Sequence, residues 1–288
     1  MFFRRRVVRT APIKPCKYQE SCYNVTPGPA DCQFCRFYKC IQAGMTLQPL
    51  LQKSSDVIQY IAQLNANRKF KLLNCYPLEP CLTVSTVLSS DIQYSARPLN
   101  MDFHSWTYLS TVTCIEFMKQ FPFVYFSKSA DQLLIVNAYF IKIHSFCAAF
   151  QSYSNGKCSL PEGIFTGNTV LETRIRCRLV GKLIELKVAD DEFLLMLVIL
   201  FSNPAIPNLS PTARLLSSSY RHLYSSALFD YCMHTYQSFG PTRFTDLLGI
   251  SSVLARHYED VNQHFVLLQL QGADIGIHGI VTEGLDLL

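Results

Sequence analysis

The chain predicts a mostly α protein in two parts, a small zinc-bound module and a larger all-α helical sandwich, and three observations carry that prediction. Four cysteines, Cys16, Cys22, Cys32 and Cys35, stand at the spacing C-x5-C-x9-C-x2-C. Residues 1–45 hold eight Lys or Arg against two Asp or Glu, a local charge of +6, leaving 18 basic and 19 acidic side chains for the other 243 residues. Beyond residue 98 nearly every segment shows apolar residues recurring at three- or four-residue steps over helix length. Of the 288 residues 49% are hydrophobic and only 16% charged, enough to bury a large core.

Residues 1–45 contain Pro12, Pro15, Pro27, Gly28 and Pro29, so most of this stretch reads as loop wrapped around a metal. Zinc takes four thiolates in a tetrahedron: a C-x2-C pair at a helix start supplies two of them, and a C-x5-C loop supplies the rest. A helix is expected from Asp31 as N-cap to Gly44 as the residue just past its end. One face of it takes metal and core, and the other is left for Arg36 and Lys39. Cys40 is expected to be a core thiol outside the metal set. The twelve cysteines do not read as a secreted disulfide framework, because Met1 to Arg9 has no apolar stretch of signal length. The longest apolar run, Phe193 to Phe201, has nine residues, well short of the about 20 that span a bilayer. A buried helix is expected there, and no membrane partner.

The domain reading is a zinc module over 1–46, a linker over 47–55 and a helical domain over 56–288. In the last, helices are expected at about 56–73, 102–120, 130–153, 169–187, 190–202, 212–237 and 243–271. Pro77, Pro80 and the Ser/Thr-rich run 83–90 read as a second loop. Residues 163–171 are the one candidate for a small hairpin. At the corner after residue 120, Pro122 ends one helix, Phe121, Phe123 and Phe126 fill the turn, and Ser129 or Asp131 caps the next.

Cys16-x5-Cys22-x9-Cys32-x2-Cys35-Arg36-Phe37-Tyr38-Lys39-Cys40-x3-Gly44-Met45 resembles the second zinc module of nuclear hormone receptors, and Phe2-Phe3-Arg4-Arg5 resembles the end of their DNA-recognition helix. The resemblance implies that Phe2 and Phe3 are core and that Arg4, Arg5, Arg36 and Lys39 contact DNA phosphates. A solvated or nuclear-import cluster is the plainer reading of the arginine run. Two positions depart from the family pattern: Pro15 stands where an aromatic is usual and Pro29 where an arginine is usual. The family's first zinc module, which carries the base-reading side chains, is expected before Phe2 and is not in the sequence. Phosphate contacts position and base contacts specify, so the expected DNA binding is weak and salt-dependent, with Kd on the order of 10⁻⁴–10⁻⁶ M.

Three further blocks resemble the ligand-binding domain of the same family: Glu116 to Leu134, Asp191 to Ser210, and Arg243 to Leu254. That resemblance implies an apolar pocket for a small lipophilic ligand, a dimer-forming helix over 243–270 for a homo- or heterodimer, and a nuclear location. It also implies that Lys119 and Glu283 clamp the two ends of a coregulator's short amphipathic helix, a Lys meeting carbonyls at its C-terminus and a Glu meeting amides at its N-terminus. Gly284 departs from the pattern and costs roughly 0.5–1 kcal/mol of helix stability. The function expected is transcription regulation; the alternative is a fragment that dimerises and titrates receptors or coregulators. An enzyme is disfavoured, because four thiolates close a zinc site to water and no Ser-His-Asp or Cys-His set stands out.

Overall fold

The computed structural model describes residues 2, 3, 5, 16–18, 22, 32–43, 45, 54–164, 166–271 and 279–285. Arg4, Asp31 and Gly44 lie outside them. Phe2, Phe3 and Arg5 are helical, and the first helix whose bounds are described, α1 (Gln33–Gln42), buries Cys35, Phe37, Tyr38 and Ile41 and takes Cys32 as N-cap residue. Next come α2 (Ser54–Asn74), strand β1 (Cys75–Pro77), α3 (Val84–Ser89), strand β2 (Tyr94–Ala96), α4 (Phe103–Lys119), α5 (Pro122–Tyr125) and α6 (Ser129–Ser154). The remaining elements are α7 (Thr169–Leu186), α8 (Asp190–Phe201), α9 (Pro211–Tyr236), a 3-10 turn (Gln237–Phe239), α10 (Gly240–Leu248), α11 (Ile250–Leu270) and α12 (Gly279–Thr282).

Three local expectations are corrected. The run 83–90 is not loop: Thr83 Oγ1 accepts from the Thr86 N–H, while Val84 and Val87 are fully buried. A side-chain cap and burial outweigh the modest helix propensity of Val, Ser and Thr. No strand lies in the described part of 163–171; the sheet is instead β1 against β2, antiparallel, with Tyr76 opposite Ser95. The helix expected over 243–271 starts earlier, at Gly240, and is divided at Gly249. The cap reading of Ser129 or Asp131 also changes. Lys128 is the N-cap of α6, and the buried Asp131 carboxylate accepts from the backbone N–H (2.9 Å) and hydroxyl (2.7 Å) of Ser210, tying α6 to the start of α9.

The core is layered helix on helix. α6 packs against α4, α7, α8 and α11, and α8 lies between α6 and α9. Every residue of α8 from Glu192 to Phe201 is buried. α6 is long and apolar enough to cross a membrane by composition, yet 56% of its most apolar window is buried within the protein. At the proline corner the Phe121 ring meets those of Phe117 (5.0 Å) and Phe201 (5.2 Å), and Phe123 meets Phe201 at 5.1 Å. Pro122 opens α5 rather than merely closing α4, its fixed φ suiting the first helical position. Glu192 is wholly inaccessible; it accepts from the Ala189 N–H at 2.9 Å and from Nε and Nη2 of Arg243, whose Nη1 donates to the Leu186 carbonyl at 2.6 Å.

α1 belongs to the same core. Phe37 stacks on Phe3 at 5.3 Å and meets Phe126 at 5.0 Å, the Tyr38 hydroxyl donates to the Phe126 carbonyl, and α1 packs on α9.

Candidate functional site

The ligand atoms of Cys16, Cys22, Cys32 and Cys35 all lie within 4.8 Å of one another. With Zn–S bonds of about 2.3 Å, tetrahedral sulfurs stand about 3.8 Å apart. Cys16 Sγ lies 3.3 Å from Cys22 Sγ and 3.5 Å from Cys35 Sγ, so the cage fits that ion after a small expansion. Desolvation and its three cysteine neighbours push the Cys22 thiol up, and Cys35 is raised chiefly by burial. Burial also opposes ionisation of Cys16, but the Tyr18 N–H, which donates to its sulfur, and the neighbouring thiols hold it low. Four thiols crowded this way ionise together only against a cation, and no coordination position is left for a substrate. Cys40 is partly buried and stands outside the cluster.

The C-x2-C pair sits at the start of α1, whose opposite face presents Arg36 and Lys39 to solvent. Arg36 lies over the Phe2 ring at 4.5 Å, and Arg5, three residues after Phe2, is exposed. Phe2 and Phe3 are half-buried and packed against the core.

Lys119 and Glu283 face the two ends of one short helix. Lys119 Nζ donates to the carbonyls of Val87 and Ser90, both at 2.8 Å. Glu283 Oε2 accepts from the Val84 N–H at 3.2 Å. Burial lowers the Lys119 pKa, with the Glu116 charge opposing. Glu283 follows α12, and the carbonyl of Gly284 accepts from the Tyr258 hydroxyl at 2.8 Å. A Cβ at position 284 would lie 2.2 Å from the Phe140 ring, so glycine is what lets the tail come this close.

Between α2, α4, α6, α7 and α11 lies a cavity of about 1100 Å³, lined by Arg68, Trp106, His144, His257, Phe265 and Val281 among others. Arg68 is buried and donates through Nε (3.0 Å) and a terminal nitrogen (2.9 Å) to Asn65 Oδ1. His257 is buried, and among the described residues neither its Nδ1 nor the Oγ1 of Thr111 has a hydrogen-bond partner. Burial lowers the pKa of His257 to about 4, Asp260 opposing and Arg178 and His144 assisting; burial and Arg68 do the same to His144. Both imidazoles are neutral at physiological pH. None of these residues was legible as a site in the sequence, because they are scattered over six helices and carry no spacing motif.

A model of the ligand-binding domain of nuclear hormone receptors matches residues 96–271, and a model of the double treble clef zinc finger of C4 type matches residues 1–47. The chain belongs to the nuclear hormone receptor family. Similar receptors are known from Caenorhabditis elegans. Nuclear hormone receptor family member nhr-167 is 40% identical over 99% of this chain and 90% of its own length. Member nhr-27 is 32% identical over 93% and 80%, and member nhr-9 is 31% identical over 91% and 82%. The receptor's zinc-finger match spans all four clustered cysteines, and zinc is the cofactor of that finger type. Its ligand-binding match includes Lys119 and most of the cavity wall, and ends before Glu283.

Proposed function

We propose that the receptor is a nuclear transcription regulator in which zinc, held by Cys16, Cys22, Cys32 and Cys35, fixes a phosphate-gripping platform to a ligand-responsive helical domain. Residues 1–46 form the platform and 56–288 the receptor domain. Arg4, Arg5, Arg36 and Lys39 grip DNA phosphates. The cavity takes a small, mostly apolar ligand whose polar head reaches Arg68 and His257, the former a fixed charge and the latter a buried imidazole short of a partner. Lys119 and Glu283 orient a coregulator helix, and residues 243–270 provide the dimer face.

The observation that supports this reading most strongly is the asymmetry of α1: Cys32 and Cys35 at its start turn into the metal cage, its aromatics into the shared core, and its two cations out to solvent. Metal analysis and a gel-shift titration against a random oligonucleotide pool test it together. The expected result is one zinc per chain and binding that weakens steeply with salt, log K falling with log salt at a slope of about −0.9 per phosphate contact. Absence of zinc, or no retardation at low salt, would overturn it.

A further inference from the structure

The groove that Lys119 and Glu283 bracket is filled by the protein's own α3. This helix packs against α4 and α6. Val84 and Val87 are fully buried, Leu88 is half-buried, and the three stand at i, i+3 and i+4, the spacing that puts apolar side chains on one helix face. A six-residue helix leaves most of its end amides and carbonyls without intrahelical partners. Here Glu283 takes the Val84 amide, Thr83 takes the Thr86 amide, and Lys119 takes the carbonyls of Val87 and Ser90. Both poles of the helix and its apolar face are thus satisfied by the groove. The β1–β2 pairing closes the loop that carries α3, with Pro77 opposite Tyr94, which tethers the helix beside its own site.

We infer that α3 is an internal competitor for this groove: an external helix with large apolar side chains at i, i+3 and i+4 binds only by displacing Val84–Ser89 from between Lys119 and Glu283. The inference rests on the coregulator-groove reading above. A tethered segment acts at an effective concentration in the millimolar range, so a weak helix suffices to hold the groove closed. Valines where a partner would bring larger side chains make α3 an occupant that yields to a better-fitting helix. Displacement frees the loop 78–93 at the same time.

The test uses the full zinc-loaded protein and a fluorescein-labelled amphipathic peptide with leucines at i, i+3 and i+4, followed by fluorescence anisotropy. Val87→Asp expels α3, and a groove filled ~90% of the time by its own helix then gains about tenfold in peptide affinity. Equal or weaker binding by a Val87→Asp protein with wild-type circular dichroism overturns the inference. Amide exchange of the unmutated protein gives an independent reading: saturating peptide speeds exchange over 83–90 if α3 leaves, and unchanged exchange there overturns the inference whatever the variant does. Lys119→Ala separates the two ideas. If it abolishes peptide binding while Val87→Asp leaves it unaltered, the groove reading stands and the competitor falls. If neither the unmutated protein nor Val87→Asp binds peptide, both fall.

Discussion

The zinc module and the helical domain reach stability by different routes. The module carries a local charge of +6, and its described core is Cys22, Cys35, Phe37, Tyr38 and Ile41, several of which face the other domain. The helical domain is close to neutral and owns a helix, α8, buried from Glu192 to Phe201. A unit of about 45 residues rarely closes a core unaided. This one relies on an ion at one end and on borrowed aromatic surface at the other, while the helical domain needs neither. Metal-dependence is therefore expected to be local and packing-dependence global.

Metal removal offers the largest contrast. Structural zinc contributes about 10–16 kcal/mol in small modules, so Cys35→Ser or chelation at neutral pH should release the metal and open the first 45 residues to trypsin. The helical domain should keep its melting transition; if both regions unfold together, the two-route picture fails. Next comes Arg243→Ala, which leaves the Glu192 carboxylate buried and unpaired and should cost about 3–5 kcal/mol in urea unfolding, with zinc content unchanged. Arg243→Met with Glu192→Leu should recover most of that loss.

Acid gives a third, smaller probe. His257 titrates near 4 in the folded protein and near 6.5 when unfolded. Below the unfolded value the unfolded state binds the extra proton. The stabilisation present above pH 6.5 is therefore lost as pH falls toward 4, to a total of about 3 kcal/mol. Asp260, Arg178 and His144 surround the ring, so comparison with His257→Gln isolates its share: the urea midpoint of that variant should vary less across this window. Smallest is Gly284→Ala. Its Cβ would press on the Phe140 ring, an overpacking cost of about 1–3 kcal/mol, and it should loosen the tail to proteolysis without moving the zinc.

The residues that spoke in the sequence are those whose role is fixed locally. The four cysteines lie close together in the chain, and Pro122 with its phenylalanines marks a corner whatever surrounds it. The unbroken apolar stretch of α8 could only be buried. α3 was hidden because Val-Ser-Thr-Val-Leu has weak helix propensity, and its reasons for being helical, Lys119 and Glu283, lie 32 and 199 residues from their partners. The β1–β2 pair was hidden likewise: three-residue strands carry no alternation to read. Gly284 was misleading. It read as a loosened helix, whereas its missing side chain is what allows the tail to close on Phe140.

The bond from the Tyr38 hydroxyl to the Phe126 carbonyl joins residues 88 positions apart. Contacts that close so long a loop form late, after the local helices around them have condensed. On the ribosome the zinc module emerges before the helical domain, yet the surface it leans on does not exist until the proline corner has been made and packed. Docking of the module thus waits on the domain made after it, although its four cysteines, all within 20 residues, can gather a metal beforehand.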